Sequence, residues 1–99
     1  MEIAARFAGN LSRHREAAGL SQEELGLRAS LHRTEISQLE RGLRVPRIDT
    51  LVKLAASLGI SALDLLEGIG WEPGHREHGR FTATPKAPED EARPAWMGS

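Results

Sequence analysis

The segment from Gln22 to Arg41 contains several polar side chains that can form hydrogen bonds with another molecule. Thr34, Ser37 and Gln38 are three and four residues apart, so on a helix they share one side. Hydroxyl and amide groups both donate and accept hydrogen bonds, which suits them to recognise the polar edge of a ligand. The spacing therefore predicts a polar recognition face, held in place by short helices.

A capping box predicts where the first of these helices begins. The Ser21 side chain can accept a hydrogen bond from the Glu24 amide, while the Glu24 carboxylate accepts one from the Ser21 amide. The helix then starts at about Gln22. Gly26 lies in its middle, where glycine costs roughly 1 kcal/mol relative to alanine. We therefore expect a second helix to approach closely at Gly26.

The second helix has one apolar side. Ile36 and Leu39 are three residues apart and predict a packed face. Gly42 is suited to end this helix in the left-handed conformation. Two short crossing helices, the second packed on one side and free on the other, predict a helix-turn-helix that binds DNA.

The motifs of Leu11–Leu66, taken in order, resemble those of the Cro/C1-type (XRE family) helix-turn-helix domain of phage repressors and small bacterial regulators. The resemblance implies an all-α, lambda-repressor-like fold of five helices, in a domain of residues 1–69. The matching stretches are Asn10–Leu25, Arg33–Gly42, Val45–Ser61 and Ala62–Leu66. The helices are expected at 2–18, 22–29, 33–41, 48–58 and 62–67. The core is expected to contain Phe7, Leu11, Leu20, Leu25, Ala29, Ile36, Leu39, Leu51, Leu54, Ala55, Leu58 and Leu65.

Two residues depart from the family pattern. Ser30 stands where the family most often has glycine in the turn, so we expect an unusual backbone conformation there. His32 stands where serine or threonine usually caps the recognition helix. We therefore expect a weaker cap, or one that a neighbouring residue supplies.

The resemblance also implies which residues contact DNA. Arg33, Thr34 and Gln38 match base-facing positions, and Ser37 is a further candidate. An arginine pairs with guanine, a glutamine with adenine, and a threonine methyl group packs against thymine. Each residue alone is equally compatible with a solvated surface. The candidates for phosphate contacts are Gln22, His32, Arg41, Arg44 and Arg47. Arg15 and Glu40 match a family pair that forms a structural salt bridge.

Charge and composition limit the other classes of protein. The chain has a formal net charge of -1, whereas a DNA-binding domain is expected to be basic. It has no cysteine, no long apolar run and no leader at Met1, which favours the bacterial cytoplasm over membrane or secreted proteins. His75 and His78 are too few to predict a metal site. We expect no cofactor and no enzymatic activity.

The last third of the chain, residues 70–99, is expected to be an irregular extension that is partly disordered beyond Pro85. A short strand is predicted over Arg80–Thr84. Trp71 and Phe81 are costly to leave in water, so we expect them to cover the apolar edge of the fifth helix and help form a twofold dimer. The alternative is that they fold back onto their own subunit. The dimer candidates are Ile60, Leu63, Leu66, Trp71 and Phe81.

The expected function is that of a sequence-specific transcriptional regulator, more often a repressor, which binds an inverted-repeat operator in double-stranded DNA as a homodimer. The alternative is a protein-interaction module with the same fold, such as the antitoxin that binds a toxin. The acidic net charge and the unassigned extension favour this alternative.

Overall fold

The computed structural model describes residues 2–76 and 78–84. Five helices are followed by a two-stranded hairpin, so the predicted helices are all present. The first and third end one residue earlier than predicted, and the fifth ends two residues earlier. The predicted disorder beyond Pro85 lies outside the described residues. The elements are α1 Glu2–Ala17, α2 Gln22–Ala29, α3 Arg33–Glu40, α4 Ile48–Leu58, α5 Ala62–Leu65, β1 Ile69–Glu72 and β2 Arg80–Ala83.

One apolar core joins all five helices. Burying a leucine or phenylalanine side chain contributes about 1.5–3 kcal/mol to stability. Of the predicted core residues, Leu51 and Leu58 are only partly buried, because they pack at the margin of the cluster. The other ten predicted residues are buried: Phe7, Leu11, Leu20, Leu25, Ala29, Ile36, Leu39, Leu54, Ala55 and Leu65.

A row of polar side chains on α1 binds the end of α5. Asn10 is completely buried, and its Nδ2 donates to the carbonyl oxygens of Leu65 and Glu67, both at 2.9 Å. Arg6 Nε donates to the Glu67 carbonyl, and Arg13 Nη2 donates to the Glu67 carboxylate, each at 2.9 Å. Carbonyls at a helix C-terminus have no partner within the helix. The α1 side chains supply those partners and fix α5 against α1.

The hairpin contains the strand predicted near Arg80 and a second strand, β1, that the sequence did not predict. The strands are antiparallel, and Trp71 lies opposite Phe81. The two rings pack edge to face with their centroids 4.9 Å apart. Both strands contact α1. The hairpin begins at Ile69, one residue before the extension predicted from the sequence.

Candidate nucleic-acid interface

The turn between α2 and α3 is closed by backbone contacts. Ser30 adopts the left-handed conformation (φ 57°, ψ 43°), as predicted from its position in the glycine site. The Leu31 amide donates to the Gly26 carbonyl at 2.8 Å. A Cβ atom on Gly26 would lie 2.6 Å from the Leu31 carbonyl oxygen. The close approach at Gly26 is therefore real, but the turn backbone makes it rather than the body of a second helix.

His32 itself caps α3, so the expected alternative of a cap supplied by a neighbouring residue was wrong. Its Nδ1 accepts a hydrogen bond from the Thr34 amide at 3.0 Å. The Glu35 carboxylate accepts one from the His32 amide at 3.2 Å, which completes a capping box. An imidazole nitrogen can replace a serine hydroxyl here because it also carries a lone pair. The cap fixes the first turn of α3.

The two sides of α3 differ in burial. Ile36 and Leu39 face the core and are 0% and 1% exposed. The four residues predicted to contact bases are polar and accessible: Arg33 and Thr34 are exposed, and Ser37 and Gln38 are half-buried. The helix therefore presents donors and acceptors on its outer side while the apolar side holds it in place.

A tight reversal ends α3 and returns the chain to that polar face. Gly42 has a φ of +71°, and its amide donates to the Leu39 carbonyl at 3.2 Å. The Leu43 amide donates to the Gln38 carbonyl at 3.1 Å, which completes a Schellman motif. Arg44 then lies beside α3, where its Nη1 donates to Gln38 Oε1 at 3.1 Å. Residue spacing alone gave no signal for this contact between side chains.

Arg15, Glu40 and Gln22 form one hydrogen-bonded network between α1, α2 and α3. Arg15 Nε lies 2.6 Å from Glu40 Oε2, and Arg15 Nη2 lies 3.0 Å from Glu40 Oε1. The hydrogen bonds to Glu40 raise the pKa of the Arg15 guanidinium, although burial opposes this. Gln22 Nε2 also donates to Glu40 Oε1, at 3.1 Å. Glu40 thus positions a residue that the sequence predicts to contact phosphate.

Four exposed arginines lie on α3 or in the segment that follows it. Arg33, Arg41, Arg44 and Arg47 are all exposed. Arg47 lies 3.5 Å from Asp49, while the other three form no ion pair within residues 2–76 and 78–84. Exposed cations and exposed hydrogen-bonding groups in one segment of the chain are the two components that a DNA contact surface requires, which are charge for phosphates and polar groups for base edges.

Other kinds of site have little support in the described part of the chain. No group of three or more histidines and carboxylates there could hold a metal ion. His75 and His78, near the tip of the hairpin, are exposed. No described helix has the length and apolar character needed to cross a membrane.

A helix-turn-helix family model matches residues 11–65, more than half of the chain. The chain belongs to the helix-turn-helix family. One relative of this helix-turn-helix chain is an uncharacterised HTH-type transcriptional regulator, y4dJ, of Sinorhizobium fredii. It is 38% identical over 66 residues, which cover 67% of this chain and 86% of the relative.

Solved structures of family members have the same fold. The restriction-modification controller protein C.AhdI of Aeromonas hydrophila is 35% identical with a TM-score of 0.61, over 63% of this chain and 94% of that one. The biofilm regulator SinR, solved in complex with DNA, is 31% identical with a TM-score of 0.60, over 62% of this helix-turn-helix chain and 98% of that one. The predicted family and five-helix fold are confirmed, and these relatives are named as regulators rather than enzymes.

Proposed function

We propose that the chain is a sequence-specific transcriptional regulator that binds an inverted-repeat operator as a homodimer, with α3 in the major groove. The observation that carries this proposal is the accessible polar side of α3, opposite Ile36 and Leu39, in a chain of the helix-turn-helix family. A recognition helix contacts base edges through its first turns. Repression is the expected outcome where the operator overlaps a promoter.

Arg33 and Thr34 are the first base-contacting residues of this proposal. Arg33 opens α3 and forms no ion pair in the described part of the chain, so its guanidinium is available to donate to guanine O6 and N7. Thr34 follows it and is also exposed, with a methyl group that can contact thymine. Ser37 lies one turn further along the same side of the helix.

The phosphate contacts come from residues around this helix. Gln22 opens α2, where free backbone amides and the helix dipole favour an anion. The other candidates, arranged around α3 and the loop that follows it, are His32, Arg41, Arg44 and Arg47. Since the chain carries a net charge of -1, we expect weak non-specific binding and a modest dependence on salt.

A twofold dimer would place two recognition helices about 34 Å apart, in successive major grooves. Leu63, Trp71 and Phe81 are 76%, 54% and 61% exposed, and a large accessible apolar group is a typical component of an interface. The remaining predicted interface residues, Ile60 and Leu66, are half-buried against their own core. They would therefore contribute the margin of the interface.

The dimer is tested with Leu63→Glu and with Trp71→Ser/Phe81→Ser, because these side chains are exposed and their loss leaves the core intact. Light scattering after size-exclusion chromatography should show a dimer for the original protein and a monomer for the variants. The control Leu27→Glu changes an equally exposed leucine on α2. Variants that remain dimeric would exclude this surface.

The regulatory function is tested by selection from a random duplex library at low salt. An enriched inverted repeat with half-sites about one helical turn apart would support the proposal. Arg33→Ala should then relax the preference at one base pair of each half-site and cost roughly 1–3 kcal/mol. Equal binding of the selected and scrambled duplexes would contradict the proposal.

An exposed apolar segment favours a protein-binding role as a second candidate. Leu43, Val45, Ile48 and Val52 are 50–80% exposed, and they lie in the loop after α3 and on α4. A protein partner, such as the toxin that an antitoxin binds, could cover this segment. Because Arg44 and Arg47 lie within it, such a partner would compete with DNA. If the partner bound equally well to protein saturated with operator DNA, this apolar segment would be excluded as its binding site.

A further inference from the structure

The contact between Arg44 and Gln38 determines the direction of the Gln38 side-chain amide. Arginine has only hydrogen-bond donors, so the amide atom that faces it must be the oxygen. Gln38 Oε1 accepts from Arg44 Nη1 at 3.1 Å, and the amide NH2 group is therefore directed away from the guanidinium. The Schellman motif at Gly42 fixes the loop backbone from which Arg44 extends.

Arg44 is free to hold Gln38 in this way. No carboxylate within the described ranges, 2–76 and 78–84, forms an ion pair with it. Arg47, in the same loop, instead lies 3.5 Å from the Asp49 carboxylate. The two arginines therefore have similar charge and exposure but different neighbours, and only Arg44 touches a predicted base-contacting residue.

We infer that Arg44 determines base specificity by orienting Gln38, so that α3 presents amide N–H donors at this point and selects guanine over adenine. The inference depends on the proposed function. Guanine offers two acceptors in the major groove, N7 and O6, whereas adenine offers the N7 acceptor and the N6 donor. Binding adenine in bidentate fashion requires Gln38 Oε1 to accept from N6 with its second lone pair, which would place that N–H beside the guanidinium charge. Guanine O6 and N7 carry partial negative charge, so the same cation favours them.

This assignment differs from the adenine contact that glutamine as a residue type predicts. A glutamine that can rotate its amide freely forms a bidentate pair with adenine. A neighbouring cation removes that freedom, because the reversed amide would place two donors against each other. Arg44 thus acts on specificity through another side chain, in addition to any contact that it makes with a phosphate.

The test begins with the inverted repeat selected by the original protein. Gln38→Ala, carried through the same selection, identifies the base pair whose preference depends on Gln38. Duplexes with guanine or adenine at that position are then bound to the original protein, Arg44→Lys, Arg44→Met and the control Arg47→Met. Circular dichroism of each variant checks that it is folded.

The original protein and Arg44→Lys should both prefer guanine, because lysine is also a pure donor. Arg44→Met should shift the affinity ratio of the two duplexes toward adenine by roughly tenfold, the scale of one bidentate base contact. Arg47→Met should weaken both duplexes by the same factor. Arg44→Met in the Gln38→Ala background should leave the ratio unchanged.

Three results would overturn the inference. The original protein could prefer adenine at this position, Arg44→Met could lower both affinities equally as Arg47→Met does, or Gln38→Ala could alter no base preference. Failure of the proposed function looks different, since the original protein would then enrich no repeat at all and no variant would be needed to see it.

Discussion

Removing Glu40 should destabilise the fold strongly, because Arg15 would keep a charge without its counter-ion. The Glu40 side chain is 6% exposed and that of Arg15 is 13% exposed. Breaking a buried ion pair by removing one partner typically costs about 3–5 kcal/mol. Arg15 retains a hydrogen bond to the Leu20 carbonyl at 2.7 Å, so we expect Glu40→Ala to cost about 3 kcal/mol, the lower end of that range.

That loss is large compared with the whole stability of a small domain, which is about 5–15 kcal/mol. It should lower the melting temperature by roughly 12–24 °C for a domain of this size. Thermal and urea unfolding followed by circular dichroism would measure it. Gln22 loses its acceptor in the same variant, so DNA affinity should also fall at temperatures where the protein remains folded.

Two further variants separate the buried pair from charge in general. Glu16 lies 3.9 Å from Arg15 but is 70% exposed, so Glu16→Ala should change stability by less than about 0.5 kcal/mol. The double variant Arg15→Met/Glu40→Leu removes both charges and should recover most of the loss. A loss below about 1 kcal/mol for Glu40→Ala, or a double variant as unstable as the single one, would refute this reasoning.

Three other changes test the turn and the first cap. Ser30→Gly should raise the free energy of unfolding, measured in urea, by about 0.5–1 kcal/mol, because glycine has no steric penalty at a φ of 57°. A lower free energy of unfolding would contradict the left-handed turn. Gly26→Ala should lower the stability of the fold by about 1 kcal/mol or more, because the new Cβ would lie 2.6 Å from the Leu31 carbonyl oxygen. This clash outweighs the gain in helix propensity. An unchanged urea unfolding midpoint would show that the turn can move. Hydrogen bonds from Ser21 hold the pKa of the Glu24 carboxyl below its ordinary value of 4.5, so its ionised form stabilises the fold above that pH. The difference in melting temperature between the original protein and Glu24→Gln should shrink as pH falls below 4.5, and a constant difference would count against the ionic cap.

The features that depend on neighbours in sequence were predictable. The Ser21 and Glu24 capping box and the apolar spacing of Ile36 and Leu39 follow from residue type and distance along the chain. The left-handed Ser30 was expected from its position in the family pattern. The local rules were enough to predict α2 and α3, whereas the number and order of the five helices followed from the resemblance to a known family. The local rules also predicted which side of α3 is polar.

The features that depend on distant neighbours were not predictable. Strand β1 contains Gly70 and forms only because β2 pairs with it. Asn10 looks like an ordinary polar residue until the end of α5 surrounds it with carbonyl groups. The His32 cap required a particular ring orientation, for which residue type gives no rule. Each of these three local structures depends on a contact that forms only in the tertiary fold.

The polar row on α1 also constrains how the protein can fold during its synthesis. Asn10 and Arg6 find their carbonyl partners 55 to 61 residues later in the chain. The recognition helix leaves the ribosome before those partners do. Until α5 emerges, the buried amide of Asn10 has no acceptor there and the core stays open on one side. We therefore expect nascent chains that stop before Ala62 to be digested readily by protease and to bind no operator, whereas chains that extend past Thr84 become resistant in a single step.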